Sequence, residues 1–257
     1  MDIVFHGTSD ALGVPRIYCQ CDVCEEARLS GVNRRYRPSI QLCIEDEESI
    51  WIDCGPDWHI QMEQAQQRVV SRMLITHAHY DHIGGLPQWY DQCRYAKVKP
   101  KLYAATEVLQ EIEARFPWLS GLIEFNSLDE GLMLGSWQLR IWRVNHGRNG
   151  YSYAFRFDHR PFGKSIVYCP DCIALSEDQQ QLLYNVDMLI IGASFYKEPH
   201  PFETRSLYDV TEIVERSMVW KPRELWITHM SHDIDVRHVE LLPQHVHYAK
   251  TGLKLSL

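Results

Sequence analysis

Short apolar runs of strand length recur along this chain, and five strand-like segments lead directly into a histidine or an aspartate. The runs are Ile3 to Phe5, Ile40 to Ile44, Ile50 to Ile52, Met73 to Ile75, Ile166 to Tyr168, Met188 to Ile191 and Leu225 to Ile227. They are too short for helices and rich in β-branched residues, which suits buried strands. Asp53 follows the segment ending at Ile52, His77 that ending at Thr76, and His146 that ending at Asn145. Asp171 follows Pro170, and His229 follows Thr228. Core packing alone does not place such side chains at successive strand ends. A catalytic site built on the rigid edge of a sheet does.

Helical spacing fills the intervals. Thr106 opens one helix, with Glu107 in its first turn and Val108, Ile112 and Phe116 on one face. Ser176 caps a second, followed by Glu177 and Asp178, whose charges suit a helix N-terminus. Leu207, Val210, Ile213, Val214 and Met218 form the apolar stripe of a third. The chain is therefore α/β. No repeat, low-complexity tract or Pro/Gly/Ser-rich linker divides its 257 residues, so residues 1–257 are expected to form a single domain.

Charge narrows the function classes. The net charge is −8, with 34 acidic against 26 basic residues, and a sequence-independent nucleic-acid binder needs a basic field. Nucleic acid is disfavoured as a partner. No apolar run is long enough to cross a bilayer, and the opening residues show no basic start followed by an apolar stretch, so a cytoplasmic protein with no membrane partner is the expectation. Cys19, Cys21 and Cys24 lie within six residues, a spacing that suits metal binding better than disulfides in such a compartment. Cys43, Cys54 and Cys93 are expected as buried or inert thiols. Cys169 and Cys172 flank Asp171 and are expected as packed thiols rather than a redox pair.

The segment Thr76 to His82 carries the strongest chemical signal, with His77, His79, Asp81 and His82 in seven residues. Imidazole nitrogen and carboxylate oxygen are the usual ligands of zinc and other divalent first-row metals. In extended chain His77 and His79 point to one side and can clamp one ion, while Asp81 and His82 beyond the bend can reach a second. Gly84 and Gly85 then let the backbone turn tightly into a helix. The three clustered cysteines are one ligand short of a closed tetrahedral site, with Cys43, Cys54, His6 or a distant histidine left to complete it.

His-x-His-x-Asp-His is the signature of metallo-β-lactamase-fold hydrolases, which this chain resembles along nearly its whole length. The resemblance implies a four-layer αββα sandwich. It implies His77, His79 and His146 on a first metal, Asp81, His82 and His229 on a second, Asp171 bridging both, and Asp53 orienting ligand imidazoles by hydrogen bonding. Two divalent ions, manganese or zinc, lower the pKa of bound water from 15.7 to about 7. Hydrolysis by a hydroxide bridging the two metals is the expected chemistry.

Within the superfamily, the opening His6–Arg16 stretch, the cysteine cluster and the Thr228–His232 segment resemble PhnP-type phosphodiesterases. That resemblance implies a structural zinc on Cys19, Cys21, Cys24 and His232, and a small, cyclic phosphodiester as substrate. One short turn then carries a ligand of each site, His229 and His232. In those relatives a histidine protonates the leaving oxygen, and counting back from His229 puts Leu207 in its place. His200 is the preferred substitute, with Tyr208 or a different substrate as the alternatives, so Asp81 and His200 are the expected catalytic residues. Arg34, Arg35 and Arg37 offer guanidinium groups to a phosphate, although such a run is more often a solvated face.

The nearest rival is a tRNA 3′-processing endonuclease of the same superfamily, disfavoured by the charge and by the lack of a long basic insertion. A non-catalytic metal-binding protein of cofactor synthesis is another. A di-iron oxidoreductase prefers a carboxylate where this chain has His79. A homodimer is compatible with each of them.

Overall fold

The computed structural model describes residues 1–45 and 47–257. Its strands form two seven-stranded sheets. The first contains β1 (Asp2–Gly7), β2 (Ser39–Cys43), β3 (Ile50–Ile52), β4 (Arg72–Leu74), β5 (Lys101–Ala104) and β6 (Glu124–Ser127). The second contains β7 (Leu132–Leu134), β8 (Trp137–Asn145), β9 (Tyr151–His159), β10 (Lys164–Cys169), β11 (Met188–Gly192), β12 (Glu224–Thr228) and β13 (Val246–Tyr248). The last strand, β14 (Lys254–Ser256), returns to the first sheet and pairs with β1. Strands β3 to β6 run parallel in the first sheet, and β10 to β13 do so in the second.

The helices are α1 (Asp22–Leu29), α2 (Trp58–Gln64), α3 (Tyr80–Ile83), α4 (Leu86–Ala96), α5 (Thr106–Arg115), α6 (Glu177–Gln181) and α7 (Val210–Trp220). Three apolar clusters hold the layers together. Phe5, Ile40, Ile52, Phe155, Phe157 and Ile190 fill the space between the sheets. Trp58, Trp89, Val108 and Ile112 pack α2, α4 and α5 onto Trp51 and Met73 of the first sheet. Val210, Ile213 and Trp220 pack α7 onto Leu189, Ile191 and Leu225 of the second. Strand β11 shows why its run is unbroken: Met188 and Ile190 face the other sheet, while Leu189 and Ile191 face α7. The architecture is the α/β αββα sandwich that the sequence suggested.

The stripe expected for the third helix needs correction. Asp209 caps α7, its Oδ1 accepting from Glu212 N at 2.8 Å while Glu212 Oε2 accepts from Asp209 N at 3.0 Å. The helix therefore starts after Leu207, and its buried face is Val210, Ile213, Ser217 and Trp220. Met218 lies on the far side and is 67% exposed. Among the described residues, no helix is long and apolar enough to cross a membrane.

Candidate metal centre

The chain leaves β3 at Asp53, β4 just before His77, β8 at His146, β10 just before Asp171, and β12 at His229. All five are buried, and α3 brings Asp81 and His82 to the same place. Gly192 allows the crowding, because a Cβ there would stand 1.7 Å from the Pro170 carbonyl oxygen and 3.0 Å from His229 Cβ. Asp53 and His229 both have left-handed backbones, with φ of 66° and 57°. That conformation costs a non-glycine residue about 1–2 kcal/mol, a strain typical of functional sites.

Ligand atoms of His77, His79 and His146 lie within 4.8 Å of one another, as do those of Asp81, His82 and His229. His77, His82 and Asp171 form a third such group that joins the two. Asp171 Oδ1 is 3.2 Å from His229 Nε2 and 3.6 Å from His146 Nε2, and its Oδ2 is 3.3 Å from His82 Nε2. Asp81 Oδ2 lies 3.3 Å from His82 Nε2 and 3.4 Å from His229 Nε2.

The outer ring nitrogens are largely spoken for. His82 Nδ1 is 2.8 Å from Asp53 Oδ2, and His146 Nδ1 is 2.8 Å from the Ser206 carbonyl. His77 Nδ1 lies 3.1 Å from Thr76 Oγ1 and 3.3 Å from Ser152 Oγ. Donating at Nδ1 fixes the tautomer that leaves Nε2 free to bind a cation.

Burial lowers the pKa of His77, His79 and His146, which keeps these rings neutral and fit to ligate. Burial also works against charge on His82, but Asp81, Asp53 and Asp171 raise it well above the usual histidine value. Asp171 is buried too, and the rings of His229, His82 and His146 hold it below the ordinary carboxylate range.

Three inward atoms, His82 Nε2, His229 Nε2 and Asp171 Oδ2, are buried without a hydrogen-bond partner. Buried polar atoms are seldom left so. Nitrogen and carboxylate oxygen facing a common centre fit divalent cations.

At the other group, His232 Nδ1 lies 3.2 Å from Cys19 Sγ, 3.5 Å from Cys21 Sγ and 3.4 Å from Cys24 Sγ. Bond lengths of about 2.3 Å to sulfur and 2.0–2.1 Å to nitrogen in a tetrahedron give S···N edges of about 3.6 Å. The four residues fit a closed zinc site. His6 takes no part, being stacked on Trp51 at 3.9 Å and bonded to Gln41 at 3.0 Å. Cys43 and Cys54 are not in this group.

A pocket of about 550 Å³ opens above His79, Asp81, His146, Asp171 and His229. Its walls include Asp10, Asn149, Ser194, Glu198, His200 and Leu207. His200 is exposed at the rim, its Nε2 3.9 Å from Glu198 Oε1. Tyr208, the alternative acid, lies elsewhere: it is buried, and its hydroxyl accepts from Leu175 N at 2.9 Å. The arginine run is likewise no phosphate patch. Arg37 pairs with Asp57 at 3.1 Å, Arg35 is buried against the Ile234 carbonyl at 2.8 Å, and Arg34 donates to the Ala27 carbonyl at 3.1 Å. Tertiary packing has absorbed Arg35 and Arg37 as braces, while Arg34 stays exposed beside α1. Cys169 and Cys172 sit in the apolar core under α7, as packed thiols.

Asp10 and Arg205 line the pocket without having been singled out in the sequence. Asp10 lies three residues beyond β1, and the strand-end rule applied to the first apolar run points to His6 instead, so the sequence held no direct signal for it.

A family model described as the beta-lactamase superfamily domain matches residues 48–230, a span running from just before Asp53 to just after His229. The chain belongs to the metallo-β-lactamase superfamily. One similar protein is an octanoyltransferase of Porphyromonas gingivalis, 24% identical over 269 aligned residues, which cover 99% of this chain and 51% of that protein. The chain thus spans about half the length of that relative. A ribonuclease Z of Agathobacter rectalis is 25% identical over 253 aligned residues, covering 76% of this chain and 82% of that protein. Among solved structures, a diphosphatase from the PhnP family superposes with a TM-score of 0.86 at 25% identity, over 100% of this chain and 97% of that one. The likeness to PhnP-type proteins expected from the motifs holds across the whole fold. Within this family's fold, the chain's histidines and carboxylates are grouped so that they could hold metal ions.

Proposed function

We propose that this protein hydrolyses small phosphodiesters with two divalent ions, manganese or zinc, held by the converging side chains. His77, His79 and His146 would hold one ion, and Asp81, His82 and His229 the other, with Asp171 shared. Cys19, Cys21, Cys24 and His232 would hold a separate structural zinc. The observation that carries the reading is the meeting of all seven ligands beneath a pocket of about 550 Å³ with His200 at its rim. When bound, the ions supply a water with a pKa near 7 and positive charge to offset that developing on the phosphoryl oxygens.

The chain's own residues do the rest. Asp53 and the Ser206 carbonyl hold His82 and His146 in the ligating tautomer. Asp81, through the oxygen left free of the ion, would accept a hydrogen bond from the attacking water and so turn a lone pair toward phosphorus. His200 donates a proton to the leaving oxygen. A pocket of this size takes a nucleotide-sized molecule. The net charge of −8 disfavours a folded RNA, whose many phosphates need a broad basic field.

Protein loaded with manganese or zinc should hydrolyse bis-p-nitrophenyl phosphate and cyclic ribose phosphates, and cleave pre-tRNA far more slowly. Failure on every diester with both metals defeats the reading. Equal rates on pre-tRNA would favour the ribonuclease activity named for the Agathobacter relative. The kinship to an octanoyltransferase, with apolar Leu207 at the expected acid position, favours one further reading, hydrolysis of an acyl thioester or lactone at the same site. An octanoyl thioester and a lactone in the same screen decide between them.

A further inference from the structure

The segment from Ser194 to Asp209 arches past the pocket between β11 and α7, and one side chain ties it together. Arg205 Nε donates to the His200 carbonyl at 2.6 Å, and its Nη2 donates to the Glu198 carbonyl at 3.1 Å. Its Nη1 reaches Glu212 Oε1 at 3.2 Å and Asp209 Oδ2 at 3.5 Å. Glu198 N donates to the same Asp209 oxygen at 3.0 Å, which closes the arch on the capped start of α7. The Arg205 side chain is only 13% exposed. A planar guanidinium in this setting meets four acceptors at fixed angles, which the compact ammonium of lysine cannot do.

The backbone of Arg205 is held as well. Its carbonyl accepts from Arg148 N at 3.4 Å and lies 2.0 Å from where a Cβ on Gly147 would stand. The next carbonyl, that of Ser206, is the partner of His146 Nδ1. One residue therefore joins the rim that carries His200 to the imidazole of His146. His200 has little to fix it otherwise, since its side chain is 70% exposed and its nearest charged partner, Glu198 Oε1, is 3.9 Å away.

We propose that Arg205 is the positioning residue of the pocket, holding His200 over the reacting centre through the arch it closes. The kinetic consequence rests on the phosphodiesterase reading; the structural one does not.

The experiment compares Arg205→Ala, Arg205→Lys and His200→Ala with the native protein, all loaded to equal metal content. Amide hydrogen exchange over residues 195–208 reads the arch. Hydrolysis of a cyclic ribose phosphate, whose leaving alkoxide needs a proton, and of bis-p-nitrophenyl phosphate, whose phenolate does not, reads the placement of the acid. In both Arg205 variants, exchange in the arch should quicken at least about tenfold. The rate loss should be at least about tenfold greater on the cyclic diester than on the p-nitrophenyl one. His200→Ala should show the same selectivity, and the double variant should be no slower than His200→Ala alone.

Unchanged exchange in Arg205→Ala overturns the proposal. So does a rate loss that is equal for both leaving groups, or one that adds to that of His200→Ala, because either marks a merely structural role. A native protein inert to both diesters overturns the phosphodiesterase reading instead. Exchange alone then decides whether Arg205 closes the arch.

Discussion

Replacing Asp53 by asparagine tests how the centre holds its ligands, because it removes one charge and almost no shape. The left-handed backbone at this position, with φ of 66°, is one that asparagine tolerates better than most residues. Each close polar neighbour of the carboxylate is a donor. Thr76 N and Thr76 Oγ1 donate to Oδ1 at 2.9 and 3.0 Å, and His82 Nδ1 faces Oδ2 at 2.8 Å. An amide keeps only one oxygen. If that oxygen stays on Thr76, the NH₂ faces His82 Nδ1, and the ring must carry its proton on Nε2. That nitrogen points at Asp81 and Asp171, 3.3 Å from each, and once protonated it cannot bind a cation. If the amide is flipped, its NH₂ meets the Thr76 N–H, and an unsatisfied buried donor costs on the order of 1–3 kcal/mol.

Loss of such a partner behind a metal-binding histidine lowers affinity about 10–100-fold, or about 1.4–2.8 kcal/mol at 1.4 kcal/mol per decade. Stripped protein titrated with zinc against a chromophoric chelator measures this directly. The cysteine site acts as an internal control, since Asp53 is no part of it. Asp53→Asn should keep the cysteine-site equivalent at native affinity and lose 10–100-fold at one of the other two. A folded variant that binds every equivalent as the native protein does would refute the tautomer argument.

Three further outcomes follow from the geometry. Asp171→Ala should lower kcat by roughly 10²–10³-fold or more, with near-UV circular dichroism unchanged; full activity would remove Asp171 from the centre. Cys21 is exposed, so serine there disturbs no packing, and Cys21→Ser should lose one zinc by elemental analysis and lower the melting temperature by several degrees; native stability would reject a structural zinc. Gly192→Ala would drive a methyl group to 1.7 Å from the Pro170 carbonyl oxygen, and should cost about 1–3 kcal/mol in denaturant unfolding, whereas an unchanged midpoint would contradict the close approach at the Asp171 loop.

The site was more legible in the sequence than the walls around it, for a physical reason. Parallel strands buried on both faces leave unbroken apolar runs, and a ligand at a strand end interrupts such a run with a residue that has no reason to be in a core. Five strand ends bearing a histidine or an aspartate, with the dense segment from His77 to His82, marked where the site lies, and the resemblance to metallo-β-lactamase-fold hydrolases supplied the grouping of the ligands. The arch left no comparable trace. Arg205 is held partly by backbone carbonyls, which every residue possesses, and its carboxylate partners are Asp209 and Glu212 at an ordinary helix start. Arg35 and Arg37 depart from the solvated face that their run suggested, because whether a guanidinium faces solvent, substrate or the interior depends on residues far away, here Ile234 and Asp57.

The turn from Thr228 to His232 shows how the two metal-binding groups depend on each other. Met230 sits between them, its N donating to the Thr8 carbonyl at 2.8 Å and its carbonyl accepting from Asp10 N at 3.2 Å. The turn is thus stitched to the loop after β1. Arg16, which pairs with Asp10 at 2.7 Å, also donates its backbone N–H to Cys24 Sγ at 3.4 Å. His229 needs this support more than its neighbours do. It has the strained backbone, and its Nδ1, unlike that of His82 or His146, lacks a hydrogen-bond partner. A ligand that no outer hydrogen bond orients must be aimed by its main chain. That main chain is fixed on one side by β12 and on the other by His232 among the three cysteines.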